Sequence, residues 1–189
     1  MTYTGKTLTS AAAAEPLTVT DNLLREQLRV DHTSDNTLLG LQITAARERV
    51  ERVTGRALIT QTWTAYWDSF PGSDTIELPR PPLQSVTYVK YYDTDDTVAT
   101  FSSANYDVDI TGMVGLVRLK YALNWPTTTL RPTKGVEIQF VCGFGTAGSS
   151  VPGGLLQAVV LEVAQAYYGE DETRARRIES LLAPWVVYE

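Results

Sequence analysis

A glycine-rich run at residues 143–148 has the spacing G-x-G-x-x-G. In a dinucleotide-binding fold this spacing follows a strand, opens a helix and holds a pyrophosphate at the helix N-terminus. Here residues 149–152 separate the run from the next helical pattern, and no parallel strand follows. The run therefore predicts a turn, and we expect no nucleotide or other cofactor.

The only histidine, His32, and the only cysteine, Cys142, are the next candidates. His32 follows Asp31 beside the end of a helical pattern, but no nucleophile elbow accompanies the pair in the sequence. One histidine and one cysteine cannot form a structural zinc site within a single chain. We expect His32 to be a polar loop residue and the chain to hold no metal.

Three aspartates, Asp93, Asp95 and Asp96, have the spacing that starts a calcium loop. The sixth position of that loop is Val98 where glycine is needed, and the twelfth is Ala104 where a bidentate glutamate is needed. The aspartates therefore predict a solvated hairpin tip. With no catalytic residue to name, we expect the chain not to be an enzyme.

Four stretches have the apolar spacing of helices, at about residues 18–30, 34–55, 155–169 and 172–182. The second stretch carries Arg47 with Glu51 and Glu48 with Arg52, each pair four residues apart. Such pairs lie one turn apart on a helix, and we expect both on the surface.

Between residues 57 and 142 the apolar period changes to two, as in half-buried strands. About six strand candidates are separated by short turns rich in proline, glycine or aspartate. Parallel strands would need helical crossovers, and none occurs here, so the pairing is predicted to be antiparallel.

These patterns predict an α+β protein, in which a helical bundle built from both chain ends carries an inserted antiparallel β-rich segment. The predicted parts are a flexible N-terminal arm over residues 1–16, the bundle over 17–56 and 151–183, the β segment over 57–150 and a tail over 184–189.

The composition is that of a globular protein, with 43% hydrophobic and 20% charged residues and a net charge of -6. The isoelectric point of about 4.9 argues against tight DNA binding over a wide surface, which needs clustered Lys and Arg. Long apolar runs of the kind that cross membranes are missing from the sequence, and we expect neither export nor a membrane span.

The C-terminal segment combines residue types that are enriched in the cores of protein interfaces. Its candidate partner-binding residues are Arg174, Arg176, Arg177, Leu181, Leu182, Trp185, Val186, Val187 and Tyr188. Two alternatives stay open, because such a segment either docks on a partner or folds back onto its own bundle.

The β segment is rich in aromatic residues, and some strands carry them on both faces. Tyr88 and Tyr92 alternate with Tyr91 along one strand, so they point to the opposite face. A sheet covered on one side only would expose one set, which a neighbouring subunit could cover. The candidate subunit-interface aromatics are Tyr66, Tyr88, Tyr91 and Tyr92.

An ordered series of motifs over about residues 17–170 resembles the head-tail connector family of tailed phages. The series consists of LRVD at 28–31, the helix at 45–53 running into TGRALITQTW at 54–63, LPRPPLQSV at 78–86, YDVD at 106–109, CGFG at 142–145 and Val151-Pro152 opening a long helix.

The resemblance implies a structural virion protein at the head-tail interface, assembled in the host cytoplasm. Family members form a ring, here expected to be a dodecamer, beneath the portal protein. Each subunit contacts neighbouring copies and docks the next tail-side protein, a stopper or tail completion protein, while DNA passes through the channel without tight binding. The alternative function is a non-catalytic module that binds carbohydrate or peptide on the aromatic sheet face.

Overall fold

The computed structural model describes residues 2–187, which form two compact units. The unit called here the β unit contains the described residues up to Ala11 and the segment Thr60–Gly143. The unit called the helical unit contains Ala12–Ile59 and the described residues from Phe144 onward. The predicted α+β class is confirmed.

Four α-helices make up the helical unit. They are α1 (Asn22–Leu28), α2 (Asn36–Thr54), α3 (Gly153–Tyr168) and α4 (Glu172–Leu182). Helix α2 buries the stripe that contains Leu39, Ile43 and Val50, and it ends at Gly55 in the left-handed conformation. Helix α3 buries most of its residues, as the width of its apolar face requires. The helices from both chain ends therefore share one core.

The ion pair of Arg47 and Glu51 lies inside this unit, which corrects the predicted surface position. The Arg47 side chain is 12% exposed and that of Glu51 is 6% exposed, with Nη1 and Oε2 3.0 Å apart. Arg47 Nε also donates to Glu15 at 2.8 Å, and Glu51 accepts from the backbone N–H of Leu58 at 2.8 Å. The segments on either side of α2 cover this face of the helix, which helical spacing alone does not reveal.

Eight strands make up the β unit. They are β1 (Tyr3–Ser10), β2 (Gln61–Trp67), β3 (Thr75–Leu78), β4 (Leu83–Tyr92), β5 (Val98–Phe101), β6 (Tyr106–Asp109), β7 (Gly115–Leu119) and β8 (Val136–Cys142). A five-stranded sheet has the order β1-β2-β8-β4-β5, and a three-stranded sheet has the order β3-β7-β6. All of their pairings are antiparallel, as predicted.

Strand β1 replaces part of the flexible arm that was predicted over residues 1–16. It pairs with β2, with Lys6 opposite Ala65 and Leu8 opposite Trp63. Alternating threonines give this segment a high β-propensity, but its pairing partner lies more than 50 residues away. Further on, Pro16 and Leu17 are buried in the helical unit.

The β unit is a few residues shorter at each end than the predicted β segment, 57–150. Leu58 and Ile59 belong to the core of the helical unit, and Phe144 packs against that core. The strands begin only at Gln61 and end at Cys142. Hydrophobic residues next to a strand carry no period of their own, so the pattern could not assign them to a unit.

One face of the five-stranded sheet is apolar and packs inside the β unit. Residues opposite each other in antiparallel pairs share a face, and the register places Ala65, Val89 and Ile138 together on this one. Phe101 extends the face on β5 and stacks on Tyr106 of the other sheet, with ring centroids 6.0 Å apart. The two sheets thus enclose a core of their own.

Within residues 2–187, no helix is long and apolar enough to cross a membrane.

Candidate partner-binding surfaces

Arg174, the first of the predicted partner-binding residues, forms hydrogen bonds within its own unit. Asp171 caps α4 by accepting from the Arg174 backbone N–H at 2.7 Å. The guanidinium Nη1 donates to the carbonyl oxygens of Ala164 at 3.3 Å and Gly169 at 3.2 Å, both at the end of α3. Arg174 thus bonds to carbonyl groups at the end of the neighbouring helix, and its docking on a partner stays a prediction.

Arg176 and Arg177 lie on the solvent side of α4, and both are exposed. Arg176 pairs with Glu172 at 3.3 Å, and the two side chains are 79% and 90% exposed. A pair this exposed contributes little to stability. These two arginines are therefore the predicted docking residues that remain open to a partner.

Trp185 folds back onto the helical unit. Its ring meets that of Phe144 edge to face at a centroid distance of 6.1 Å. Arg56 Nε donates to the Trp185 carbonyl at 2.7 Å, and the backbone N–H of Val187 donates to the Thr54 carbonyl at 2.9 Å. The two alternatives for the C-terminal segment were docking on a partner and folding back onto its own bundle, and Trp185 folds back.

The other apolar residues of the segment differ in burial. Leu182 is 3% exposed and belongs to the core, whereas Leu181, Val186 and Val187 are half-buried. Tyr188 lies outside the described residues. Docking through any of them stays a prediction.

A second candidate surface lies on the other face of the five-stranded sheet, where Tyr66, Tyr88 and Tyr92 surround Glu137. The hydroxyl groups of Tyr88 and Tyr92 donate to the two carboxylate oxygens of Glu137 at 2.5 and 2.8 Å. Tyr66 lies directly opposite Glu137 in the β2–β8 register. We call these four residues the tyrosine cluster.

Three cations lie over the rings of the tyrosine cluster. Lys90 Nζ is 4.1 Å from the centroid of Tyr88, Arg131 Cζ is 3.9 Å from Tyr92, and Lys134 Nζ is 4.9 Å from Tyr66. Each distance allows a cation–π interaction. The cluster is therefore a polar surface in which the ring faces already have partners.

Tyr91 does not belong to this surface. It lies on the opposite, apolar face, and its ring centroid is 5.8 Å from that of Phe70. Tyr91 is half-buried there, and its role in a subunit contact stays a prediction.

The Glu137 carboxylate raises the pKa of two phenols. Burial raises the pKa of Tyr88, and the hydrogen bond to Glu137 and its negative charge raise it further. The same causes in the same order raise the pKa of Tyr92. The folded protein therefore holds protons that the unfolded chain releases above the ordinary tyrosine pKa of 10.0, and the stability gained here is lost as the pH rises beyond that value.

We expect Glu137→Gln to lower the pKa of Tyr88 and Tyr92, because an amide keeps a hydrogen-bond acceptor but carries no charge. Absorbance titration of tyrosinate measures the change. Glu77→Gln, which removes an exposed carboxylate on β3, is the matched control and should leave the titration unchanged. Identical curves for the two variants would mean that burial alone raises these pKa values.

The remaining sequence candidates have structural explanations. The aspartates form the β4–β5 hairpin tip, where Asp93 accepts from the backbone N–H of Asp95 and of Thr97 at 2.9 Å. In the glycine-rich run, a Cβ at Gly148 would lie 1.9 Å from the carbonyl oxygen of Pro16, so close packing accounts for this glycine. Helix α3 starts only at Gly153, beyond the run.

His32 forms local contacts on a loop. Its Nδ1 lies 2.7 Å from Ser34 Oγ, and its Nε2 lies 4.0 Å from Asp35. The His32 side chain is 51% exposed, and the three residues lie within four positions of one another. A catalytic triad needs a base held and shielded by its surroundings, and this loop provides neither. Across the described part of the chain, no group of three or more His, Cys, Asp and Glu could hold a metal ion.

Residues 22–112 match the family described as phage gp6-like head-tail connector protein. This match confirms the predicted resemblance to head-tail connectors. The matched stretch runs from the start of α1 past β6 and includes residues of both units. It supports a structural connector role within a virion.

Solved structures share this fold over nearly the whole chain. A chain from the neck of an empty gene transfer agent (GTA) particle computed with C6 symmetry has a TM-score of 0.78 at 23% identity. One from the virion of a native GTA particle has 0.78 at 21%, and one from a native neck computed with C12 symmetry has 0.74 at 22%. Each alignment covers 97% of this chain and 96% of the other. A search of the curated proteins returned no significant match.

Proposed function

We propose that this chain is a head-tail connector subunit that forms a ring beneath the portal protein, extends the DNA channel and docks the next tail-side protein. The observation that carries the proposal is the connector-family match over residues 22–112. The similar chains from GTA necks support it, and the C12 symmetry of one of those necks is consistent with a ring of twelve copies.

The charge of the chain fits a channel through which DNA moves. The 16 Lys and Arg residues are outnumbered by 22 Asp and Glu residues, and retention of DNA on a protein surface depends on an excess of groups that neutralise phosphates. We propose that DNA passes without tight binding. Assembly would take place in the host cytoplasm, before the subunit is enclosed in the virion.

The geometry of the tyrosine cluster favours this function over a carbohydrate-binding module. Sugar rings stack on open aromatic faces, but Lys90, Arg131 and Lys134 lie over the tyrosine rings. The hydroxyl groups of Tyr88 and Tyr92 are engaged by Glu137. A polar surface of this kind suits a wet contact with another subunit.

We propose further that Arg176 and Arg177 contact acidic groups of the portal protein. Both project from α4 into solvent, and arginine forms bidentate bonds with carboxylates. Deleting residues 185–189 would be a less informative test, because Trp185 also packs against Phe144. Charge reversal on α4 leaves that packing intact.

The experiment is to co-purify the chain with the portal protein of the same particle and image the complex by cryo-electron microscopy. We expect a ring of the chain on the portal, and the double variant Arg176→Glu/Arg177→Glu should bind at least about tenfold more weakly. Arg118→Glu, an exposed reversal on β7, is the control and should bind normally.

The outcomes separate the two parts of the proposal. A wild-type chain that forms no complex with the portal protein would contradict the connector function. A ring that forms equally well with the double variant would contradict only the docking role of the two arginines.

A further inference from the structure

The first half of α2 differs in composition from its second half. Residues 36–46 contain no charged side chain, whereas five of the six residues at 47–52 are charged. On the outer face of this neutral half, Leu38 is 50% exposed and Leu41 is 69% exposed. Ala45, one turn further on, is also exposed. We call Leu38, Leu41 and Ala45 the neutral ridge.

The neutral ridge has no role in its own unit. Helix α2 buries Leu39, Ile43 and Val50 on the opposite side, so it could form its core contacts with polar residues at the ridge positions. Exposed leucines one turn apart are costly to hydrate, and depletion of charge marks the centre of protein interfaces.

A complementary surface lies elsewhere on the same unit. A groove of about 410 Å³ runs between α2, α3 and the C-terminal segment. Its apolar lining residues are Val53, Ala175, Ile178, Leu182, Ala183 and Val186. We call these six residues the apolar groove. Val53, which is 45% exposed, marks its edge on α2.

Three charged residues line the groove, namely Arg49, Glu162 and Glu179. Arg49 and Glu162 pair along one wall, with Nε and Oε1 2.8 Å apart, and Glu179 is exposed to solvent. An uncharged ridge can therefore enter without adding an unpaired charge, whereas a charged segment would lose hydration. The neutral ridge meets this requirement, since no charge lies within residues 36–46.

We propose that the neutral ridge of one copy occupies the apolar groove of the next copy, and that this is the contact between neighbouring subunits. A contact between two different patches is heterologous, and repeating it closes a ring when the rotation from one copy to the next divides a full turn. Ridge and groove belong to one compact unit, so each subunit can offer the ridge to one neighbour and the groove to the other. The proposal rests on the ring of the proposed function and specifies which surfaces build it.

Thiol crosslinking tests the contact directly. The native Cys142 is buried, so cysteines placed at Leu41 and Ala183 would be the reactive thiols. With a short bis-maleimide, portal-bound rings of the double variant Leu41→Cys/Ala183→Cys should give a ladder of multimers. A mixture of the two single variants should give dimers only, and each single variant alone should remain monomeric.

Two results would overturn the proposal. Crosslinked dimers of Leu41→Cys alone would indicate a two-fold contact between ridges, and intact rings without any crosslinks would place the subunit contact elsewhere. If no ring forms even with the wild-type chain, the connector function fails first, and imaging without crosslinker detects that case.

A charge on the ridge provides a second measurement. Leu41→Asp should weaken ring assembly at least about tenfold, because the carboxylate would be desolvated in the groove without a partner. Met113→Asp is the matched control, since Met113 is 65% exposed and lies in the β unit. Circular dichroism verifies that both variants fold, and equal assembly of the two would contradict the proposed contact.

Discussion

Glu51→Ala is expected to lower the free energy of unfolding of the helical unit by about 3–5 kcal/mol, the usual cost of removing one partner of a buried ion pair. The substitution removes the acceptor for the buried Leu58 N–H and one of the carboxylates that neutralise Arg47. Burial lowers the pKa of Arg47, but its hydrogen bond to Glu15 and the charges of Glu51, Glu15 and Glu48 outweigh burial and raise it. Arg47 would therefore stay charged and lose a partner.

Urea denaturation followed by helical circular dichroism measures this loss. Glu48→Ala is the matched control, because the Glu48 side chain is 65% exposed and lies 3.7 Å from the same arginine. It should cost no more than about 1 kcal/mol. Glu51→Gln keeps an acceptor for Leu58 and should fall between the two. If Glu51→Ala were no more harmful than Glu48→Ala, the buried network would not stabilise the unit.

Gly115→Ala is expected to destabilise the β unit by about 1–3 kcal/mol, the range for overpacking a core. Gly115 begins β7, and a Cβ there would lie 2.3 Å from Cβ of Leu83 and 2.5 Å from its Cδ2. Leu83 is only 5% exposed and cannot turn away into solvent. One methyl group would therefore push the two sheets apart.

Two variants make the Gly115 prediction specific. Gly72→Ala, at a turn where nothing lies within 4 Å of the added Cβ, should be nearly neutral. Leu83→Ala removes Cδ2 and Cγ, which would lie 2.5 and 2.9 Å from the new methyl group. The combination Gly115→Ala/Leu83→Ala should therefore cost less than the sum of the single changes, although Cβ of residue 83 remains. Strict additivity in thermal unfolding would mean that the two residues do not contact each other.

The sequence determined the elements whose signal is local. Helices α2 and α3 follow from apolar residues at steps of three and four, and β8 follows from apolar residues at every second position from Val136 to Cys142. The sequence also predicted turns, because aspartates favour turns by accepting hydrogen bonds from nearby backbone N–H groups, as Asp93 does at the β4–β5 tip. The family resemblance also rested on the order of local motifs.

Only the tertiary structure decided which segments meet. Strand β1 has exposed residues along most of its length, and its pairing with β2 joins positions more than 50 residues apart. The buried state of Arg47 depends on Glu15, 32 positions earlier in the chain. Helical spacing gives the same i, i+4 signal for a solvated pair as for a buried one, so the sequence predicted a surface pair where the fold made an internal network.

The candidate surfaces divide in the same way. The sequence determined that the chain is rich in interface-type residues, because residue types can be read directly. Which of them point outward was decided by the covering elements: Tyr91 packs against Phe70, Trp185 packs on Phe144, and Arg176 remains in solvent. Exposure depends on what the rest of the chain places on top of a residue, and that information is not local.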